Sequence, residues 1–243
     1  YRTTDGKLGY PESYSDLANS YRQKQYGHYA REIVELVHQQ HLVQPKVLDF
    51  GCGYGVFLKA LSLQIKDVEL HGLEIDPKVC KRASYNLNGA PIYCVDLKED
   101  QGAVPQEYFD AIMLLDVIEH LDDPRTYLTA LKKCCKQAGY LLLSTPNIQS
   151  INARIYRDKW VLHSPPYHTY YFGPRSLSLV LRQTGWKVHR LHTERTIFHN
   201  ERFGMETWKG RLFRHLFQHR SVDILTNRFL KIGSIMIVVA QRK

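Results

Sequence analysis

No stretch of this 243-residue chain approaches the roughly 18 consecutive apolar residues that a membrane-spanning helix needs, and the best candidate, "SIMIVVA" near the C-terminus, is strand-sized. A spanning segment is therefore excluded, while contact with a membrane surface stays open. Cysteine is scarce: Cys52, Cys80, Cys94, Cys134 and Cys135 are odd in number and show no C-x-x-C spacing. That argues against a disulfide framework and a thiolate zinc site, and for a reducing, cytoplasmic compartment. Internal repeats, low-complexity tracts and the G-x-G-x-x-G of a dinucleotide site are also missing, which weakens a hydride-transfer reading. Tyr1 has no apolar leader behind it and reads as a boundary that leaves a removed signal open.

Acidic residues run short in the C-terminal part. Residues 1–150 hold 16 Lys+Arg against 19 Asp+Glu, whereas residues 151–243 hold 17 against 5, so the whole net charge of +9 arises after residue 150. Such a half favours an anionic partner: nucleic acid, a phosphorylated metabolite or an acidic membrane surface. A solvated basic face without a specific ligand is the plain alternative. With 44% hydrophobic residues the chain can bury a full core, and one domain over 1–243 is the expectation.

Along the chain, Tyr14 to His41 has helical spacing, with Ile33, Val34, Leu36 and Val37 on one face, and makes an N-terminal helical cap over residues 1–44. Strand and helix then alternate: "KVLDF", the turn "GCGYG", the helix "VFLKALSLQ", the strand "VELHGLEI", a helix capped by Asp76 ahead of Pro77, and the strand "PIYCVDL". "YFDAIMLLD", "PRTYLTALKKCCK" and "GYLLLSTPN" continue the alternation. This is an α/β pattern with a parallel sheet covered on both faces, whose ligand sits beyond the C-terminal strand ends. Residues 45–145 form the core unit, and 146–173, with three prolines and no clear period, a lid. "PRSLSLVLRQTG" resumes a helix and "WKVHRLHTERTIF" a strand. Residues 203–231, rich in Arg, His and aromatics, read as a helical insertion before the last strand, "GSIMIVVAQRK".

The sharpest signal is "VLDFGCGYG", an acid inside a strand followed by Gly51, Gly53 and Gly55. Glycine lets the backbone turn sharply and approach a ligand, and the helix beyond offers unpaired N–H groups to an anion. Glu74 and Asp96 end the next two strands. A carboxylate after the second strand can accept both hydroxyls of a ribose, so the combination points to a nucleoside.

On these motifs the chain resembles the class I S-adenosylmethionine-dependent methyltransferases: "VLDFGCGYG", "LHGLEID", "YCVDL", "FDAIMLLDVIEHL" and "GYLLLSTPN" follow one another in that family's order over residues 45–145. The resemblance implies a Rossmann-like, seven-stranded, mostly parallel sheet with an antiparallel last strand, and S-adenosylmethionine as cofactor. It would place the methionine moiety on Asp49, Gly51, Gly53 and Gly55, the ribose on Glu74 and the adenine amino group on Asp96. Leu97 would lie against the adenine, and Leu115 with Asp116 near the methyl sulfonium.

In "LLDVIEHLDDP", Asp116, Glu119 and His120 stand at the end of the fourth strand. Methyl transfer from a sulfonium needs alignment and removal of a proton from the acceptor, so His120 is a candidate base. Asp116, Glu119 and His120 with His168 also form a possible divalent-metal set, similar to that of the small-RNA 3′-terminal 2′-O-methyltransferases, with Asp116 in place of a glutamate. The stretch equally resembles the "E-x-x-E-H" of ubiquinone-biosynthesis O-methyltransferases, and it suits a strand end feeding a helix capped by Asp122 or Asp123. The reading favoured from the sequence assigns His120, His168 and Asp116 to catalysis with no metal.

The N-terminal tyrosines Tyr14, Tyr21, Tyr26 and Tyr29 fit core packing better than a cover for the cofactor. Tyr170 and Tyr171 serve the lid or the substrate, and Arg154, Arg157 and Lys159 are placed to meet an acidic substrate. The basic aromatic segment "METWKGRLFRHLFQHR" suits lipid, nucleic acid or a second subunit equally. The expected activity is O-methylation of a small metabolite such as a sugar, quinone precursor or glycolipid intermediate. A metal-assisted RNA 2′-O-methyltransferase and a non-catalytic cofactor-binding scaffold are the alternatives, and the oligomeric state stays open.

Overall fold

The computed structural model describes residues 20–194 and 225–243. Helix α1 (Ser20–Gln39) comes first, and its stripe Tyr29, Ile33, Leu36 and Val37 is buried, as the helical spacing of those residues requires. Then follow β1 (Lys46–Phe50), α2 (Val56–Ser62), β2 (Glu69–Glu74), α3 (Pro77–Asn86), β3 (Ile92–Cys94), β4 (Phe109–Leu115), α4 (Pro124–Cys134) and β5 (Cys135–Pro146). The remainder is α5 (Ile151–Tyr156), α6 (Pro174–Gln183), β6 (Trp186–Glu194) and β7 (Ile235–Arg242).

The seven strands form one sheet in the order β3-β2-β1-β4-β5-β7-β6. The first five are mutually parallel, and β7 runs antiparallel to both β5 and β6. The expected fold class is therefore the observed one. One sheet face packs on α4 and α6 through Leu48, Ile112, Leu141, Leu131, Leu177 and neighbours. The other packs on α1 and α2 through Val47, Met113, Leu142, Tyr29, Ile33 and Phe57. Because both faces are covered, "AIML" and "LLL" can be continuously apolar without exposing anything to water. The strand order reverses between β1 and β4, which opens the crevice at their C-terminal ends where sheets of this kind bind ligands.

Local details depart from the sequence reading. The last strand before the lid begins at Cys135, directly after α4, because Cys135 pairs with Phe109 and an irregularity between Phe109 and Ala111 absorbs "KQAG". The segment 146–173 is not structureless: Ser150 caps α5 through the Ala153 amide, and a 3-10 turn, Arg157–Lys159, follows. Arg154, Arg157 and Lys159 are all exposed. Of the insertion over 203–231, residues 203–224 lie outside the described residues, and Leu225–Phe229 is one π-helical turn. The strand read over "WKVHRLHTERTIF" is described as far as Glu194. Tyr29 is fully buried and Tyr26 meets Phe57 edge to face, so both pack on the core; Tyr14 and the Tyr21 side chain lie outside what is described.

Candidate active site

Three glycines bend the chain out of β1. Gly51, Gly53 and Gly55 all have left-handed backbone, with φ of 76°, 52° and 76°. A Cβ on Gly51 would lie 2.7 Å from Val117, and one on Gly55 2.7 Å from Leu87, so the turn is pressed against the neighbouring loop and helix. Asp49 and Glu74 flank this turn and are both buried. Glu74 accepts from the Gly53 amide at 3.1 Å, the Ile75 amide at 2.8 Å and the Asp76 amide at 3.3 Å, which ties the turn to the end of β2. Asp76 itself caps α3 through the amides of Lys78 and Val79.

Burial and the neighbouring Glu74 carboxylate push the Asp49 carboxyl up to about 8. Two buried acids beside a glycine turn have a chemistry that suits a ligand bringing both positive charge and hydroxyl donors. S-Adenosylmethionine has an ammonium, a sulfonium and a ribose diol, and the donor set here fits it.

Asp96 is part-exposed at the end of β3, where its Oδ1 accepts from the Tyr127 hydroxyl at 2.8 Å and the Lys98 amide at 2.9 Å. Leu97 is fully buried in the α4 side of the core, so without repacking only its backbone can meet a ligand. Leu115 is part-buried and packs on the α1 side, and its strand partner is Ser144.

Beyond β4, Asp116 adopts a left-handed φ of 54°, an uncommon conformation for a residue with a Cβ and one that recurs where function shapes the backbone. Ser144 holds it there: the Asp116 amide donates to the Ser144 carbonyl and hydroxyl, and that hydroxyl donates to Asp116 Oδ1 at 2.7 Å. Ile118–His120 then forms a single 3-10 turn, and Asp123, not Asp122, caps α4 ahead of Pro124. This turn points Glu119 inward, where Thr145 Oγ1 donates to its carboxylate at 2.9 Å. Burial, reinforced by the Asp116 charge, pushes the Glu119 carboxyl up to about 8.

The segment after α5 docks on the same turn. The amides of Thr169 and Tyr170 donate to the Glu119 carbonyl at 2.8 and 3.0 Å, and the Tyr170 hydroxyl donates to the Asp122 carbonyl. His168 is thereby brought to His120. The two rings stand edge to face with centroids 4.7 Å apart. His120 Nδ1 lies 2.7 Å from the Tyr167 carbonyl and His168 Nδ1 2.8 Å from the Leu162 carbonyl. A carbonyl only accepts, so each Nδ1 carries its proton, and in the neutral ring Nε2 is the basic, proton-accepting nitrogen. Burial lowers both imidazole pKa values, that of His120 to about 4, so both rings are neutral at physiological pH.

One donor atom each from Glu119, His120 and His168 lie within 4.8 Å of one another, a grouping with the size of a metal site. Asp116, the fourth member of the set read from the sequence, is not in that group and spends one oxygen on Ser144. Sequence reasoning missed Ser144 and Thr145. Two hydroxyls at the end of the otherwise apolar run "LLLST" are the signal that marks them.

Sheet order, strand-end crevice and helices on both faces together define a Rossmann-like α/β fold. Residues 20–191 match the family described as "Methyltransferase domain", and the chain belongs to that family. Family membership implies S-adenosylmethionine as cofactor. Curated relatives include the ubiquinone biosynthesis O-methyltransferases of Chromobacterium violaceum, 29% identical over 159 residues covering 60% of this chain and 66% of that protein, and of Hydrogenovibrio crunogenus, 27% identical over 172 residues covering 63% and 66%. The match thus spans just under two thirds of those relatives' length. Similar solved structures include a SAM-dependent methyltransferase from Archaeoglobus fulgidus, with TM-score 0.63, 20% identity and coverage of 95% of this chain and 100% of that one. A [4+2]-cyclase also shares the fold, with TM-score 0.57, 15% identity and coverage of 88% and 81%, so architecture alone does not define the reaction. Among the described residues no helix is long and apolar enough to cross a membrane.

Proposed function

We propose that this chain is an S-adenosylmethionine-dependent O-methyltransferase of a small metabolite, such as a sugar, quinone precursor or glycolipid intermediate, acting in the cytoplasm. The observation that carries the reading is the convergence of Glu119, His120 and His168 beyond β4, next to the crevice that holds Asp49 and Glu74. The bound cofactor supplies an activated methyl group, which leaves the protein to orient the acceptor and manage its proton.

In this reading Asp49 takes the ammonium end of the cofactor, Glu74 the ribose diol and Asp96 the adenine edge. Gly51, Gly53 and Gly55 let the backbone approach the methionine moiety. The Nδ1–H bonds of His120 to Tyr167 and of His168 to Leu162 fix the tautomer in which Nε2 is the basic nitrogen, and in this reading that nitrogen takes the proton of an acceptor hydroxyl. Asp116 and Ser144 fix the floor of the crevice. Residues 146–173 act as the lid, and their docking on the Glu119 carbonyl supports that role.

The His–His–Glu grouping also favours a second reading, in which a divalent cation held by Glu119, His120 and His168 lowers the acceptor's pKa. Such a cation would offset the buried Glu119 charge. RNA is the alternative acceptor under this reading, and a scaffold that binds cofactor without turnover is the non-catalytic one. Incubation with methyl-labelled S-adenosylmethionine and cell extract, with and without chelator, tests these readings. Label in small molecules or lipid supports the metabolite reading, label in RNA that vanishes with chelator replaces it, and tight cofactor binding with no label anywhere leaves the scaffold.

A further inference from the structure

Among the described residues a second group of ligand-type side chains lies away from the catalytic cluster. His28 projects from α1, and His192 and Glu194 from the edge strand β6, with one donor atom of each within 4.8 Å of the others. His192 and Glu194 are two residues apart on a strand, so they share a face. That is the face α1 covers, because His192 pairs with Ile237, which packs with Tyr29, Ala30 and Ile33.

We propose that His28, His192 and Glu194 bind a divalent transition-metal ion of the zinc type, which clips α1 to the edge of the sheet. Two imidazoles and one carboxylate form a donor set that suits zinc, nickel or copper and disfavours magnesium or calcium, which prefer oxygen. All three residues are part-exposed, so an ion can reach them. A fourth donor is close: Glu32 lies one helical turn beyond His28, and its Oε1 stands 3.9 Å from His192 Nε2.

The surroundings are compatible with an added ion. Arg31 and Glu35 on α1, Arg190 on β6 and Arg228 in the following turn are the other charged groups near the two rings. Glu32 pairs with Arg190, and Glu194 pairs with His28 Nε2. Arg31 donates toward His28 Nδ1 at 3.3 Å, so the proton of that ring sits on Nε2, facing Glu194. Metal entry displaces this one proton to solvent and replaces a hydrogen bond by a coordinate bond to the same nitrogen. The ion-free arrangement is thus a hydrogen-bonded pair already shaped like the site.

The clip acts on the cofactor side of the fold. Along the sheet His192, Ile237, Ser144 and Leu115 lie in one paired row, and Ser144 holds Asp116. Fixing α1 at the outer end of that row steadies the helix lying over this face.

The test is a calorimetric titration of the full, chelator-stripped chain with zinc chloride and, separately, magnesium chloride. A His168→Ala background removes the catalytic cluster from the count. There, one equivalent of zinc should bind while magnesium does not compete, and adding His192→Ala or His28→Ala should abolish that equivalent. Glu194→Gln, which keeps the size of the side chain, should weaken it at least tenfold with an unchanged circular dichroism spectrum. Hydrogen exchange in α1 should slow with zinc in the His168→Ala protein and not when His192→Ala is added. Zinc stoichiometry and affinity unaltered by both Glu194→Gln and His192→Ala, in folded protein, would overturn the proposal.

Discussion

His120 and His168 meet edge to face, with ring centroids 4.7 Å apart, and each commits its Nδ1 to a backbone carbonyl, so Nε2 is the basic nitrogen of both neutral imidazoles. Such a nitrogen serves either a transferred proton or a cation. Replacing either ring by Ala should lower turnover by about 10²-fold or more, the usual worth of a positioned acid–base group, with cofactor affinity almost unchanged. Single-turnover kinetics alongside calorimetry separate the two effects. Full activity in both variants would remove the pair from the chemistry.

Asp49 makes the site sensitive to pH. Its carboxyl titrates near 4 in the unfolded chain and is pushed up to about 8 in the fold, so the native state holds the extra proton between those values. Stability of the ligand-free protein should therefore fall as pH rises from about 4 to about 8 and level off beyond, and Asp49→Asn should flatten that slope. A cationic ligand needs the ionised form. Cofactor affinity should then rise with pH, by up to roughly tenfold per unit below about 8, with a proton released on binding. Calorimetry in two buffers of different ionisation enthalpy counts that proton. No release, together with a pH-independent affinity, would mean that Asp49 does not face the cofactor's charge.

The core architecture was legible because strands buried on both faces are continuous apolar runs, and "KVLDF", "AIMLL" and "GYLLLST" can hardly pack otherwise. The glycine turn was legible for a different reason, since left-handed backbone at Gly51 and Gly55 leaves a residue choice visible in the sequence. What could not be read is what tertiary pairing creates. Ser144 reaches Asp116 only because β5 lies beside β4, and His28 finds His192 only because α1 crosses to the edge strand. The inward turn of Glu119 depends on Thr145 and on the amides of residues 169 and 170, which local periodicity does not encode.

Gly51 admits a direct test of the turn. Alanine there must hold φ near 76° and place a Cβ 2.7 Å from Val117 Cγ2. Left-handed backbone costs an L-residue about 1–2 kcal/mol, and overpacking typically costs about 1–3 kcal/mol more. Gly51→Ala should thus lose about 2–5 kcal/mol in denaturant unfolding, and Val117→Ala in the same chain should restore part of it by vacating the contact. Additive losses in the double variant would show that the contact with Val117 is not the source of the cost.

Glu74 has two roles that substitution can separate. Its carboxylate accepts the amides of Gly53, Ile75 and Asp76, which fixes the turn, and in the proposed complex it also accepts the ribose diol. Glu74→Ala removes both and should weaken cofactor binding by about 1.5–3 kcal/mol, the range for hydrogen bonds to a charged group. Glu74→Gln retains one acceptor oxygen for the backbone but loses the charge that favours the diol, so stability should recover more than affinity. Comparing S-adenosylhomocysteine with its 2′-deoxy analogue makes the distinction sharp: the native protein should discriminate against the missing hydroxyl, and Glu74→Gln should do so less. Equal affinities of native and Glu74→Ala protein for S-adenosylhomocysteine would place the ribose elsewhere and leave Glu74 a clasp for the glycine turn.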